Sequence, residues 1–188
     1  MAGPAALRPL VGRKAELSAL RRAWAQAKSG RNQTVLLTGE AGIGKSRLVQ
    51  AIAEEAARGL LFQCWSLHSD NPFWPIVQQL PSAAALVKRL TDPVESRDTG
   101  QFHRDIVAAM AAQVLSAAHD EPALVVCEDA QWADRATLEL LRRLAVAEAP
   151  LLLVVTSRPE GEPRLGAAAS VHRIVLRRLA RSMREQSS

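Results

Sequence analysis

Gly39-Glu40-Ala41-Gly42-Ile43-Gly44-Lys45-Ser46 fits G-x-x-x-x-G-K-[ST] at every fixed position. A loop of this spacing builds a phosphate cradle, because its glycines let the backbone turn tightly and point successive N–H groups inward at anionic oxygens. Lys45 can then reach the β- and γ-phosphates of a nucleotide, and Ser46 can place its hydroxyl on Mg²⁺. The flanking sequence supplies the context the motif requires. Thr34-Val35-Leu36-Leu37-Thr38 reads as a short apolar strand, and Lys45 to Ala57 reads as a helix. A helix N-terminus adds its dipole and its free N–H groups to anion binding.

Outward from this loop the chain alternates helices with short apolar strands. Lys14 to Ser29 carries Leu17, Leu20 and Trp24 near helical spacing, with Gly30 as a stop. Gly59 ends the helix that follows the loop, and Leu60 to Trp65 forms a second strand. Pro72-Phe73-Trp74-Pro75 opens a helix through Leu80 that Pro81 interrupts before helix resumes to Leu90. Thr91 to Gly100 has the composition of a loop. Gln101 to Ala118 is helical on Ile106, Met110 and Val114, and Ala123 to Cys127 is a buried strand. Asp134 caps a helix through Ala147, and strands follow at Leu151 to Val155 and Val171 to Leu176. Continuous apolar strands joined by helices predict a parallel α/β sheet covered on both faces.

Composition bounds the function. At 188 residues the chain holds one ordinary domain. The net charge of +5 is carried mainly by scattered Arg, with no dense basic run interleaved with aromatics, which argues against direct nucleic-acid binding. Cys64 and Cys127 belong to no metal-ligand spacing and read as small buried thiols. No apolar run approaches the roughly 18–20 residues of a membrane span, and the prolines near the start break any secretory h-region. The expectation is a cytoplasmic protein without membrane contact.

Two further elements carry chemistry. The apolar run Leu124-Val125-Val126-Cys127 ends in Glu128-Asp129, and Glu128 follows Ser46 by 82 positions (46 to 128). Beside a phosphate loop, one such carboxylate holds Mg²⁺ and another orients a water at the γ-phosphate. By position Glu128 takes the metal with Ser46, and Asp129 the water. Thr156-Ser157-Arg158 ends the next strand, and in open α/β sheets ligands sit at the carboxyl ends of strands. Arg158 there either pairs with the γ-phosphate or is a solvated Arg before Pro159.

Together these residues resemble the nucleotide-binding domain of the signal-transduction ATPases with numerous domains, a branch of the AAA-related P-loop ATPases. The chain is most similar to the ATPase module of large bacterial LuxR-type transcriptional regulators and of adenylate-cyclase-linked regulators. The likeness rests on Val11-Gly12-Arg13 with Glu16-Leu17, Gly39 to Ser46 with Arg47-Leu48, Pro72 to Pro75, Glu128-Asp129-Ala130-Gln131-Trp132-Ala133-Asp134, and Thr156-Ser157-Arg158-Pro159. It implies a P-loop NTPase sheet of order 5-1-4-3-2 with helices on both faces, over residues 1–179, with 180–188 a polar tail. It implies ATP or ADP with Mg²⁺ as the bound group. It places Val11, Gly12 and Arg13 at the adenine end, Gly39, Glu40, Ala41, Gly42, Ile43, Gly44, Lys45, Ser46 and Arg47 around the phosphates, and Arg158 as sensor. Asp129, Lys45 and Arg158 form the catalytic set, and Ser46 and Glu128 the metal ligands. Lys14 departs from the family, which carries an acid at that position. The family continues into a helical lid that this sequence lacks after Leu176.

Three functions fit these residues. The first is an ATP/ADP switch module with slow hydrolysis at most, working with protein partners or other regulator domains. The second is a turnover ATPase that forms rings, with Arg142 or Arg143 offered to a neighbour, or an inactive truncated fragment of such a protein. The third, a small-molecule kinase, lacks an Arg-rich lid.

Overall fold

The computed structural model describes residues 12–56, 59–91, 99–116, 122–166 and 171–178. The apolar runs become five parallel strands: β1 (Gln33–Thr38), β2 (Gly59–Gln63), β3 (Ala123–Glu128), β4 (Leu151–Ser157) and β5 (Val171–Val175). Their order, β2-β3-β4-β1-β5, is the 5-1-4-3-2 order that the family resemblance implies. Every residue of β3 and β4 is buried, which is why these strands read as unbroken apolar runs instead of alternating ones. The edge strands β2 and β5 are half exposed and less apolar.

The period of two along each strand sorts side chains onto two faces. Leu36, Val125, Cys127, Leu153 and Val155 face a core built with α3 (Trp74–Gln79), α4 (Pro81–Thr91), α5 (Thr99–Ser116) and α6 (Arg135–Ala145). Val35, Leu37, Leu124, Val126 and Val154 face α1 (Lys14–Lys28) and α2 (Lys45–Ala53), where Leu20, Trp24, Leu48 and Ile52 pack. The helix α6 is fixed at both ends. Asp134 Oδ1 accepts the amides of Ala136 and Thr137 at 2.9 Å each, and the Thr137 hydroxyl donates to Asp134 Oδ2. Asn32 Nδ2 donates to the carbonyls of Leu144 and Ala147, both at 2.7 Å, and so closes the other end from the residue before β1.

Several boundaries move. The helix after the loop ends at Ala53, not Ala57, and Gly59 opens β2 where a helix stop is expected. Gly59 pairs with Leu124 of β3, so the sheet ladder overrides the local stop signal. Thr99 and Gly100 begin α5 instead of ending a loop, because Phe102 and Ile106 bring this helix onto the core. The remainder of that loop, the tail at 180–188 and Val11 lie outside the described residues.

The connection from β1 runs to β2 on one side of the sheet, whereas that from β4 runs to β5 on the other. A crevice therefore opens at the carboxyl ends of β1 and β4, the switch point at which such sheets bind ligands.

Candidate nucleotide-binding site

The loop from Gly39 to Ser46 joins β1 to α2, and its glycines serve two different needs. Gly42 and Gly44 have φ of 71° and 106°, the left-handed region, where the demand is on the backbone. A side chain at either position would meet no atom within 4 Å. At Gly39 the demand is space: a Cβ would lie 2.9 Å from Ile43 Cγ2 and 3.0 Å from Leu176 Cβ. The turn starts α2 at the cleft, which Gly44, Lys45, Ser46 and Arg47 line, so the positive end of the helix lies at the cleft.

Lys45 begins α2 and is buried, with 7% of its surface exposed. Its Nζ donates to the carbonyls of Gly39 (2.7 Å) and Glu40 (3.1 Å). Burial holds its ammonium below the ordinary lysine value, and Arg158 acts in the same direction; Asp129, Glu40 and Glu128 oppose them. A phosphate is a stronger acceptor for this cation than either carbonyl.

The opposite wall is an acid shelf. Asp129 follows β3 with φ 54° and ψ 44°, a left-handed turn that Asp tolerates better than most residues. The turn separates the two acids. Asp129 joins Ala41, Gly42, Gly44, Lys45, Ser46, Arg47 and Arg158 around a cleft of about 330 Å³. Glu128 instead lines a second cavity of about 440 Å³ with Ser46, Val49, Leu124 and Val126, on the α2 side of the sheet. Glu128 is 8% exposed, and its Oε1 is buried with no hydrogen-bond partner among the described residues. A carboxylate oxygen in that condition is costly unless a cation completes it. Ser46 lines the same cavity, so a hydroxyl and a carboxylate are the available donors, and such hard oxygens suit Mg²⁺.

Asp129 is held in place by side chains from three directions. Gln63 Nε2, at the end of β2, donates to Oδ2 at 3.1 Å, and Gln131 Nε2 donates to Oδ1 at 3.2 Å. The Asp129 amide donates to Thr156 Oγ1 on β4 at 3.1 Å. Gln131 also uses its carbonyl, accepting from the Arg158 amide at 3.1 Å, so one side chain ties Asp129 to Arg158. Gly161 lets this contact close, since a Cβ there would collide with Gln131.

Most of the expected site residues thus fall into two groups, with neither Gly12 nor Arg13 lining the cleft. Ala41, Gly42, Gly44, Lys45, Ser46, Arg47, Asp129 and Arg158 surround one cleft, and Glu128 shares the second cavity with Ser46. Gly39, Glu40 and Ile43 act through their carbonyls on the loop's frame. Arg13 does not line the cleft. Its guanidinium is buried against Glu16 (3.0 Å) and the carbonyls of Ile43 (3.2 Å) and Arg177 (2.8 Å), so Glu16 supplies the acid that Lys14 does not. Gln63 carries no motif signal for its contact, and Gln131 and Thr156 stand in motifs without an anticipated role in holding Asp129. Cys64 and Cys127, read as small buried thiols, are buried and are also neighbours, with sulfurs 3.6 Å apart. Hydrogen bonding to Cys64 and burial push the Cys127 thiol well up. Among the described residues no group of three or more His, Cys, Asp or Glu is arranged to hold a metal, and no helix is long and apolar enough to cross a membrane.

A β2-β3-β4-β1-β5 parallel sheet with a glycine-rich phosphate loop after β1 and acids after β3 defines a P-loop NTPase. Residues 9–155 match the family described as AAA ATPase domain, and the chain belongs to that family. Membership makes it a nucleotide-binding ATPase module. It is similar to an uncharacterized protein of Rhizobium meliloti (strain 1021), with 28% identity over 211 residues covering 91% of this chain. The chain spans 20% of that relative's length. Among solved structures it resembles the Walker-type ATPase PABY2304 of Pyrococcus abyssi, with 17% identity, a TM-score of 0.50, and coverage of 90% of this chain and 56% of that one. It also resembles a chain in the E. coli MS115-1 HORMA:CdnC:Trip13 complex, with 14% identity, a TM-score of 0.55, and coverage of 91% and 64%. At these identities the structural likeness concerns the fold.

Proposed function

We propose that this chain is the Mg-ATP/ADP-binding switch module of a signal-transduction or transcription-regulatory ATPase, with slow hydrolysis at most. The observation that carries the reading is Gln131, whose amide group joins the Asp129 carboxylate to the Arg158 backbone above the phosphate loop. A group that reads the last phosphate and a group that orients water are thereby held as one unit.

The loop amides and Lys45 bind the phosphates, and Arg158, at the end of the strand beside β1, forms a bidentate pair with the terminal one. Asp129 accepts a proton from the attacking water, its carboxylate oriented by Gln63 and Gln131. Ser46 and Glu128 would hold Mg²⁺, whose charge would offset that on the phosphate oxygens. Loss of the γ-phosphate removes the partner of Arg158, and the change passes through Gln131 and Asp129 to the ends of β3 and β4, which is how such switches read nucleotide state.

The resemblance of Glu128 to Asp134 and Thr156 to Pro159 to the LuxR-type regulators supports the regulatory half of this reading. The ring-forming alternative gains less support: Arg142, one of its candidate fingers, is engaged within its own chain on the Arg164 carbonyl at 2.8 Å.

Arg158→Ala tests the switch. Calorimetric titration with Mg-ATP and Mg-ADP should show the preference for ATP reduced about tenfold or more, the worth of one charged hydrogen-bond pair. An unchanged ATP/ADP ratio would leave Arg158 with a structural role only.

A further inference from the structure

Arg13 is a buried cation with three contacts, one of them to a peptide of the phosphate loop. Nη1 pairs with Glu16 at 3.0 Å, while Nη2 donates to the Ile43 carbonyl at 3.2 Å and to the Arg177 carbonyl at 2.8 Å. Ile43 stands between Gly42 and Gly44, the two left-handed glycines, so its peptide is one whose direction the loop sequence leaves free. In a trans peptide the C=O and the following N–H point in opposite directions. Holding the Ile43 oxygen on Arg13 therefore turns the Gly44 N–H away from Arg13, and Gly44 lines the phosphate cleft.

The same nitrogen also grips the chain just after β5. That segment also meets the end of β1 and the start of the loop: the Leu176 amide donates to the Thr38 carbonyl at 2.7 Å, and Leu176 lies against Gly39, where a Cβ would come within 3.0 Å of Leu176 Cβ. The loop and the exit of β5 are thus joined at two independent points.

We propose that Arg13 is a positioning residue for phosphate binding, which aims the Gly44 N–H at the anion and couples the occupied loop to the chain leaving β5 at Leu176 and Arg177. This rests on the nucleotide-binding reading. An Arg is required because its planar fork reaches two carbonyls and a carboxylate at once; a Lys ammonium keeps the charge without that geometry.

The test is hydrogen exchange on the full chain, read in peptides covering 39–46 and 171–178, for the parent, Arg13→Gln and Arg13→Lys, without nucleotide and with Mg-ADP. Without nucleotide, Arg13→Gln should speed exchange in both segments about tenfold, and Arg13→Lys should do so by less. Exchange in α6 should stay at the parent level, which separates loss of the clamp from loss of the fold. Unchanged exchange in either segment overturns the clamp. With Mg-ADP both segments should slow in the parent, whereas in Arg13→Gln the loop should slow and 171–178 should not. Equal slowing at 171–178 in parent and variant overturns the coupling. If 39–46 is not slowed in the parent, the nucleotide reading fails, and the nucleotide-free comparison still decides the clamp.

Discussion

The two walls of the cleft are built on different principles. The phosphate loop is made of backbone: two glycines with positive φ, a third crowded by Ile43 and Leu176, and a lysine held on the loop's own carbonyls. The acid shelf is made of side chains gathered from the ends of three strands: Gln63 from β2, Asp129 and Gln131 after β3, and Thr156 from β4. A wall of backbone is written in eight consecutive residues. A wall of side chains exists only when the sheet brings its strands into register. The loop should therefore govern affinity, and the shelf should govern what happens to the bound nucleotide.

Removing the acid draws that distinction most sharply. Asp129→Asn should lower ATP turnover about a hundredfold or more while Mg-ATP binding persists, since positioned general bases contribute on that scale. A single-turnover assay with radiolabelled ATP checks it, and unchanged turnover would take Asp129 out of the mechanism. A smaller effect follows from Gln131→Ala, which deletes one donor to Asp129 and the acceptor for the Arg158 amide. Turnover should fall roughly tenfold and ADP affinity should move by less than about twofold, given the ordinary worth of one or two hydrogen bonds. An ADP affinity that drops as far as turnover would mean that shelf and loop are not separable. The smallest effect lies beyond both walls. Asp134→Ala removes the cap of α6 and should cost about 1 kcal/mol of stability, seen as a lower denaturant midpoint, with nucleotide affinity intact.

The same contrast explains what the sequence disclosed. The loop motif, the apolar strands and the Asp134 cap are local patterns, and each appears where its spacing places it. The strand order came from family likeness, because nothing in β3 or β4 says which strands flank β1. Cys64 and Cys127 looked unrelated at a separation of 63 residues, yet the β2–β3 ladder sets their sulfurs side by side. Gln63 carried no signal because a glutamine at a strand end is ordinary until its neighbour is known to be Asp129. Arg13 belonged to a recognised motif, but its partners at Ile43 and Arg177 lie 30 and 164 positions away, so its contact with the loop was hidden behind its expected place at the adenine end. The helix boundary at Gly59 failed for the same reason, since pairing with Leu124 outweighed a local stop.

The central claim, that the Gly39–Ser46 loop binds nucleotide phosphates, is tested most directly by calorimetric titration of the purified chain with Mg-ATP beside Lys45→Ala. The account predicts saturable binding by the parent and an affinity at least about a hundredfold weaker in the variant, the loss of a buried charged donor at close to 3 kcal/mol. A folded parent that binds nothing, or a variant that binds as the parent does, would contradict it.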